Sequence, residues 1–529
     1  MGAISFWKRR QEMGWASLIL GVSILLSRFL GLIRDKVISY YFGAVRESDL
    51  YFAAFVIPDF INYLLAGGYF SITLIPLLSE SFNQDEEDGW NFFSAVFMWV
   101  VCAITAFTAV TIYFAPHLAH LTAPGMPEAS LARLSRFLRI IMPAQVFFLA
   151  GSCFMALLYM RKQFIAPALA PIIYNFAIIL GGVLMRDRGM EGFCWGVCVG
   201  AFAGNFLLQW YALSRSGGLR LRLVFTHPKL RRFFTLALPL MLGQSIVVLD
   251  EQLVRVFGSY SGPGAISWLN YARRIMLVPV GVVAQAAGVA SYPFLAELMA
   301  RKDYDRFHQT INSALRGVIT LLAPLSLWMM AASEPIIRII FQQGRFAAVD
   351  ALETAALLRV FLLAVFFWGF QQMLGRAFYA RQDTITPTVI GTLATAASLP
   401  IFWLFTHLWG STGVALASTL SMALYALALA GWWRKRFGGA AFDGLGGFTF
   451  RMTLISLAAC APSLHLAWSQ YSYGMANSYL AAWINFILSG ASFVLLFAAL
   501  SLRFAPSAVR PYWDRGMKTL ARVVGRPAS

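Results

Sequence analysis

Trp15-Ala-Ser-Leu-Ile-Leu-Gly-Val-Ser-Ile-Leu-Leu-Ser-Arg-Phe-Leu-Gly-Leu-Ile-Arg-Asp35 reads as a helix that crosses a membrane with charge placed inside it. The apolar run that contains it continues to Phe42, and about 20 residues suffice to cross roughly 30 Å of hydrocarbon. A secretory leader shares the basic start, here Lys8, Arg9 and Arg10, but has a shorter apolar stretch and a small-residue cleavage site. This run is too long for a leader, holds Arg28 and Arg34, and lacks an A-x-A site. It reads as a retained first span.

The rest of the chain has the same texture. Of its 529 residues, 59% are hydrophobic and 12% charged, against about 25% charged in an ordinary soluble domain. Hydrophobic runs between polar punctuation give fourteen spans, near 15–41, 49–78, 90–115, 136–160, 164–185, 191–213, 233–258, 266–298, 311–332, 354–380, 386–408, 411–433, 449–470 and 479–503. The fold class is therefore an all-α polytopic membrane protein of about 14 transmembrane helices. Spans two and eight are long and interrupted, the former by Pro58, Gly67, Gly68 and Pro76, the latter by Pro279, Gly281, Gly288 and Pro293. Such breaks are tolerated where neighbouring helices or a watery cavity satisfy the backbone.

The net charge of +18 comes from loops and not from a nucleic-acid surface. With the N-terminus in the cytoplasm, the segments on that side carry 24 Lys and Arg, and the opposite side carries 7. This asymmetry fits an even number of spans with both termini inside. The expected location is the bacterial inner membrane.

Leu158-Tyr-Met-Arg-Lys-Gln-Phe-Ile-Ala-Pro167 closes span four, and Phe378-Tyr-Ala-Arg-Gln-Asp-Thr-Ile-Thr-Pro387 closes span ten, 220 residues later. Pro76-Leu-Leu-Ser-Glu80 and Pro293-Phe-Leu-Ala-Glu297 echo each other at an offset of 217. The unit is six spans used twice in parallel, followed by two C-terminal helices. The expected organisation is a cytoplasmic N-tail at 1–14, an N-terminal six-helix lobe at 15–213, a basic linker at 214–232 and a C-terminal lobe at 233–433. A loop with helices thirteen and fourteen follows at 434–503, then a basic tail at 504–529. Transporters built from two such halves hold substrate near the midplane between them.

A charge near mid-bilayer costs about 2.5–3.5 kcal/mol even on lenient insertion scales, so each one needs a reason. Arg28 and Asp35 lie seven apart on one helix face, with Gly31 between them and Arg34 elsewhere on the circumference. Span seven carries Asp250, Glu251 and Arg255; Glu251 and Arg255 have the spacing of a local ion pair. Asp250 then contacts an arginine of span eight or binds a cation. Arg273 and Arg274 precede the Pro279 break, and one of them should face a polar interior. Arginines presented from both halves fit a phosphate or pyrophosphate, and an interhelical charge network accounts for them equally well.

No Walker A, H-E-x-x-H or G-x-S-x-G motif and no metal-spaced acidic cluster is visible, so neither an enzyme nor a cofactor or metal site is expected. Transport energy would come from the membrane potential, a monovalent cation or the substrate gradient. Cys194 and Cys198 lie one turn apart and read as helix packing, His117 and His120 as loop residues, and Asp85-Glu-Glu-Asp88 as a solvated loop.

Ser27-Arg-Phe-Leu-Gly-Leu-Ile-Arg-Asp35, Phe42-Gly43-Ala44 and Ser48-Asp49 resemble the opening signature of the MurJ/MviN family. So do Ser267-Trp-Leu-Asn-Tyr-Ala-Arg-Arg274 with Pro279, the Phe341-Gln-Gln-Gly-Arg-Phe346 loop and Ala377-Phe-Tyr-Ala-Arg-Gln-Asp-Thr-Ile-Thr-Pro387. The resemblance covers about 15–435. It implies a flippase of the multidrug/oligosaccharidyl-lipid/polysaccharide exporter superfamily that moves lipid II, an undecaprenyl-pyrophosphate-linked peptidoglycan precursor. Its partners would be lipid II, membrane lipids and cell-wall synthesis machinery, with no nucleic acid. The family's cavity arginines map onto Arg28, Arg34 and Arg274, its first-span aspartate onto Asp35, the aspartate opening span two onto Asp49, and a cavity serine onto Ser267. Helices thirteen and fourteen would form a lipid-tail groove.

Two departures stand out. Pro58-Asp-Phe-Ile-Asn-Tyr-Leu-Leu-Ala-Gly-Gly-Tyr-Phe70 has Asn62 and Tyr63 in place of the family's arginine pair and Gly67 in place of its glutamate. Arg273 stands where the family often has Asp, so one cavity cation has moved to the C-terminal half; Arg273 and Asn62 join the candidate site. Span eleven lacks the Asn and Asp of a sodium site, which leaves Asp250 without its expected co-ligands. The alternatives are a paralogue for another undecaprenyl-linked glycan, such as an exopolysaccharide or O-antigen unit, and a non-transporting envelope-synthesis scaffold.

Overall fold

The computed structural model describes residues 13–66, 69–245, 249–472, 479–506 and 510. The regular elements among them are all helical, which satisfies the backbone groups of each helix interior within its own segment. Nine helices among the described residues are long and apolar enough to span. One, Ile385–Phe437, covers the two expected spans eleven and twelve and turns at Gly410, with φ 55° and ψ −133°. The nine account for spans three to six and nine to fourteen. Spans one, two, seven and eight are the remainder, and they are the opening pair of each repeat.

Those four spans are the ones in which charge, proline and glycine interrupt the apolar pattern. Span one is a continuous helix, Met13–Phe42. Span two is built from Arg46–Ala53, Val56–Ala66 and Tyr69–Gln84, and span seven from Pro228–Ser245 and Leu249–Gly258. Span eight runs as Ala265–Pro279, a π-helical turn Val280–Ala284, and Gln285–Ala300. Pro279 lacks an N–H and cannot continue an α-helical ladder, and the wider turn follows it. Gly67 and Gly68, the N-tail to residue 12 and the tail beyond 510 lie outside the described residues.

The repeat is visible in local geometry. Helices end at Met160 and Ala380, and the following Lys162 and Gln382 take φ of 59° and 60°. Gln163 N–H donates to the Leu158 carbonyl and Asp383 N–H to that of Phe378, both at 2.9–3.0 Å. Asp85 caps the helix Glu86–Tyr113 and Asp303 caps Tyr304–Ala331 in the same way. Between spans five and six Gly189 has φ 69° and ψ −146°, nearly the geometry of Gly410. The guanidinium of Arg161 stacks 5.6 Å from the Trp90 ring centre and that of Arg381 3.8 Å from Phe437. Burial draws both guanidinium pKa values down from their usual value.

The chain forms two compact units, Met1–Ser267 with Gly344–Phe346, and Trp268–Gln343 with Ala347–Ser529. The repeat places the boundary in the linker 214–232, whereas the packing divides the chain at Ser267. The reason is that Pro228–Ser245 packs on Val56–Ala66, Tyr69–Gln84 and Glu86–Tyr113, so span seven belongs with the first unit.

The first unit is centred on Leu77, Leu78, Phe93, Phe97, Phe154 and Leu157, with Phe97 and Phe154 stacked at 5.2 Å. Spans five and six meet along Gly192, Gly196, Gly200 and Gly204, where a Cβ on any of the four would come within 2.7–2.9 Å of span-five backbone. Small residues let membrane helices approach this closely. In the second unit Phe307, Phe378 and Trp433 form the corresponding aromatic centre. Leu445–Ser472 and Tyr479–Phe504 pack on each other and against Tyr304–Ala331 and Ser333–Phe341.

The basic linker is an ordered strap. Residues 218–227 run without helix along Glu86–Tyr113, fixed by Arg222 N–H to Ser94 Oγ at 3.1 Å and Trp99 Nε1 to the Phe225 carbonyl at 2.8 Å. The acidic run, expected to be a solvated loop, is its dock. Glu86 faces Arg220, Glu87 holds Arg222 at 2.5 Å, and Asp88 takes His227 at 3.0 Å.

Candidate functional site

Span one places its charges as a connected set. Arg34 donates through Nε and Nη2 to Asp35 Oδ1 at 3.0 and 2.8 Å, and the Asp35 side chain is fully buried. The sequence pattern groups Asp35 with Arg28 and sets Arg34 apart; the adjacent Arg34 guanidinium also reaches the carboxylate. Arg34 Nη1 also donates to Asn175 Oδ1 at 3.4 Å, and Asn175 Nδ2 donates to Ser27 Oγ at 3.4 Å. Asn175 is a site residue the sequence reading missed. Its signal was a lone amide in the middle of the apolar helix Ile165–Leu184.

Arg28 is exposed on the same helix and Gly31 is buried beside Asn175.

Asp49 and Ser267 are brought together and fully buried. Asp49 Oδ2 accepts the Gly264 N–H at 2.6 Å, and Oδ1 accepts the Ser267 N–H at 2.8 Å and its hydroxyl at 2.7 Å. The carboxylate thus supplies acceptors to the N-terminus of span eight, where backbone donors are otherwise orphaned. Ser267 Oγ also bonds Ser48 Oγ at 2.9 Å. Ser48 and Ser267 are 219 residues apart, equivalent positions in the two repeats.

Two further contacts at this end are reciprocal. The loop after span three meets the end of span seven, with Gly125 N–H on Ser259 Oγ at 3.0 Å. The loop after span nine meets the end of span one, with Arg345 N–H on the Tyr40 carbonyl at 2.9 Å. Gly125 and Gly344 have no room for a Cβ against the Tyr260 and Tyr40 backbones.

Glu251 and Arg255 form the expected i,i+4 pair at 2.6 Å, and Asp59 of span two takes the other side of the same guanidinium at 2.6 Å. Arg255 is buried by this double clamp. Asp59 is a further charged residue of span two that the sequence reading does not single out. Asn62 is half-buried one turn along the same helix, and Asp250 is buried beside Glu251. In the second unit Arg273 is buried, with Nη1 on Ser418 Oγ at 3.3 Å, and Arg274 is exposed. Adjacent positions on the helix therefore give one buried and one exposed arginine. Among the described residues no group of three His, Cys, Asp or Glu converges as a metal set.

Residues 38–488 match the family model described as lipid II flippase MurJ. The chain belongs to the MurJ family. Among curated relatives, "Lipid II flippase MurJ" of Burkholderia cenocepacia is 28% identical over 426 residues, 78% of this chain and 82% of that protein. A MurJ of Thermosipho africanus is 26% identical over 407 residues, 77% and 83% of the two chains. Of solved structures, "Lipid II flippase MurJ, inward closed conformation" matches with a TM-score of 0.78 at 22% identity, covering 93% of this chain and all of that one. An inward-facing MATE transporter of the MOP superfamily matches at 0.66 and 13% identity, covering 80% and 98%. These likenesses bear out the expected fold of parallel six-helix repeats with two added helices.

Proposed function

We propose that this chain is a flippase that carries lipid II from the cytoplasmic to the periplasmic leaflet of a bacterial inner membrane, by alternating access and without catalysis. Membership of a family described as lipid II flippases supports the substrate. The observation that carries the mechanism is the exposure of Arg28 and Arg274 on spans one and eight, within the two span pairs that open the repeats. Arg28, Arg34 and Arg274 are each suited to the pyrophosphate, since guanidinium binds such oxygens bidentately. In this reading the contacts among Ser48, Asp49, Gly264 and Ser267, which join the starts of spans two and eight, part when the substrate leaves. Helices thirteen and fourteen receive the lipid tail. The membrane potential or a monovalent cation drives the cycle.

A second reading, a paralogue for another undecaprenyl-linked glycan, is favoured by Asn62 and Tyr63 in place of the span-two arginines. Complementation separates the two. In cells depleted of their own lipid II flippase this chain restores growth, and Arg28→Ala or Arg274→Ala abolishes rescue at unchanged expression. Normal expression without rescue transfers the assignment to the paralogue. Rescue by all three arginine-to-alanine variants would leave only a scaffold role.

A further inference from the structure

A groove of about 910 Å³ lies between Val56–Ala66, Glu86–Tyr113 and Pro228–Ser245, all within the first unit. Its volume is within the range of about 300–1,000 Å³ typical of small-ligand sites. Phe60, Ile61, Val100, Phe107, Phe233 and Phe234 supply much of its wall, and the strap closes one end with Phe225.

Of the lining residues only His227 and Arg231 can carry positive charge. His227 is engaged, with Nε2 on Asp88 Oδ1 at 3.0 Å. The cations flanking Arg231 are engaged as well: Lys229 binds Gln84, Ser81 and Asp88, and Arg232 binds Glu80. No carboxylate pairs with Arg231 among the described residues, and its side chain is exposed at the groove. An apolar channel with one uncommitted guanidinium at its basic end has the chemistry of a lipid with a charged head. Long basic side chains at span ends reach toward headgroups in this way.

We propose that this groove binds one anionic glycerophospholipid of the surrounding leaflet, its acyl chain along the aromatic wall and its phosphodiester on Arg231. A phosphodiester brings one negative charge to one guanidinium. A lipid-linked pyrophosphate would bring more charge than Arg231 can neutralise and set it against apolar wall. The site shares no residue with the arginines of spans one and eight and does not depend on the flippase reading. Its lipid touches the helix that carries Asp59 and Asn62.

The test is lipid retention by the purified full chain after exchange into nanodiscs of phosphatidylcholine and phosphatidylglycerol, read by native mass spectrometry. The wild type keeps phosphatidylglycerol in preference to phosphatidylcholine. Arg231→Gln lowers that preference about fivefold, the equivalent of about 1 kcal/mol for one basic residue at an anionic leaflet. Ala103→Trp, which fills the groove from an exposed position, lowers retention of both lipids. Arg222→Gln, whose guanidinium is held by Glu87, keeps the wild-type preference. An unchanged preference in Arg231→Gln, or unchanged retention in Ala103→Trp, overturns the proposal. Displacement of phosphatidylglycerol by undecaprenyl phosphate at equal concentration also overturns it, making the groove a polyprenyl site.

Discussion

Buried arginines differ from exposed ones in what their removal leaves behind. Arg255 is clamped between Asp59 and Glu251, so Arg255→Met removes from both carboxylates the guanidinium that joins them. Breaking a buried pair from one side costs about 3–5 kcal/mol. Thermal unfolding in one detergent should therefore show a large loss for Arg255→Met and a small one for Asp59→Asn, where Glu251 still holds the guanidinium. Equal losses would mean that the clamp is not what keeps Arg255 in place. Asp49 is argued the same way. Asp49→Ala leaves the buried Gly264 and Ser267 N–H groups without their acceptor, at about 1–3 kcal/mol for each group. Ser267→Ala removes one hydroxyl and leaves the backbone bonds intact, so its melting temperature should fall much less; the reverse order would refute the capping role. At this scale the sequence showed which positions carry charge but not how they pair. Glu251 and Arg255 were legible because their partnership is local, whereas Asp59 meets Arg255 across 196 residues, a contact only tertiary packing creates. The Arg34–Asp35 bond is invisible to a helical wheel, because a long side chain can curl back to its neighbour's carboxylate.

Helix pairs depend on the residues that set their spacing. Spans five and six approach along Gly192, Gly196, Gly200 and Gly204, and without a hydrophobic effect between helices in lipid, their association rests on this close fit. Gly196→Leu should force the backbones apart and lower thermal stability sharply, by more than the about 1–3 kcal/mol of ordinary overpacking, since the obstacle is main chain. Gly431, where an added Cβ would meet nothing within 4 Å, tolerates Ala without loss. Similar melting temperatures for the two variants would show that the stripe does not set the contact. The glycines stood in plain view at every fourth position, yet hydropathy counts them as ordinary members of an apolar run. The acidic run Asp85-Glu-Glu-Asp88 is largely solvent-exposed, as expected, but its docking of the strap is not legible, because local composition looks the same with or without a basic partner about 135 residues away. What is legible at this scale is where spans four and ten end, because the short sequence around the left-handed turns at Lys162 and Gln382 recurs in both repeats.

The whole molecule follows from two patterns that survive any local error, the count of apolar runs and the recurrence of their ends. Both gave the parallel repeat, and neither could show that span seven would pack with the first unit, because that depends on which helix faces meet. The repeat also makes one pair of positions informative about transport. Ser48 and Ser267 occupy equivalent places in the two copies, and their hydroxyl oxygens are 2.9 Å apart. Cysteines at both positions would bring sulfurs within reach of a disulfide of about 2.05 Å. If transport requires the ends of spans two and eight to separate, Ser48→Cys with Ser267→Cys should block rescue of flippase-depleted cells when oxidised and restore it on addition of a membrane-permeant reductant. Each single variant, losing only one hydroxyl, should support growth in either condition. A cross-linked double variant that still rescues, with the disulfide confirmed by mobility on a non-reducing gel, would mean that substrate crosses while this end stays shut. That result would leave the family assignment standing and remove alternating access at Ser48 and Ser267 as its mechanism.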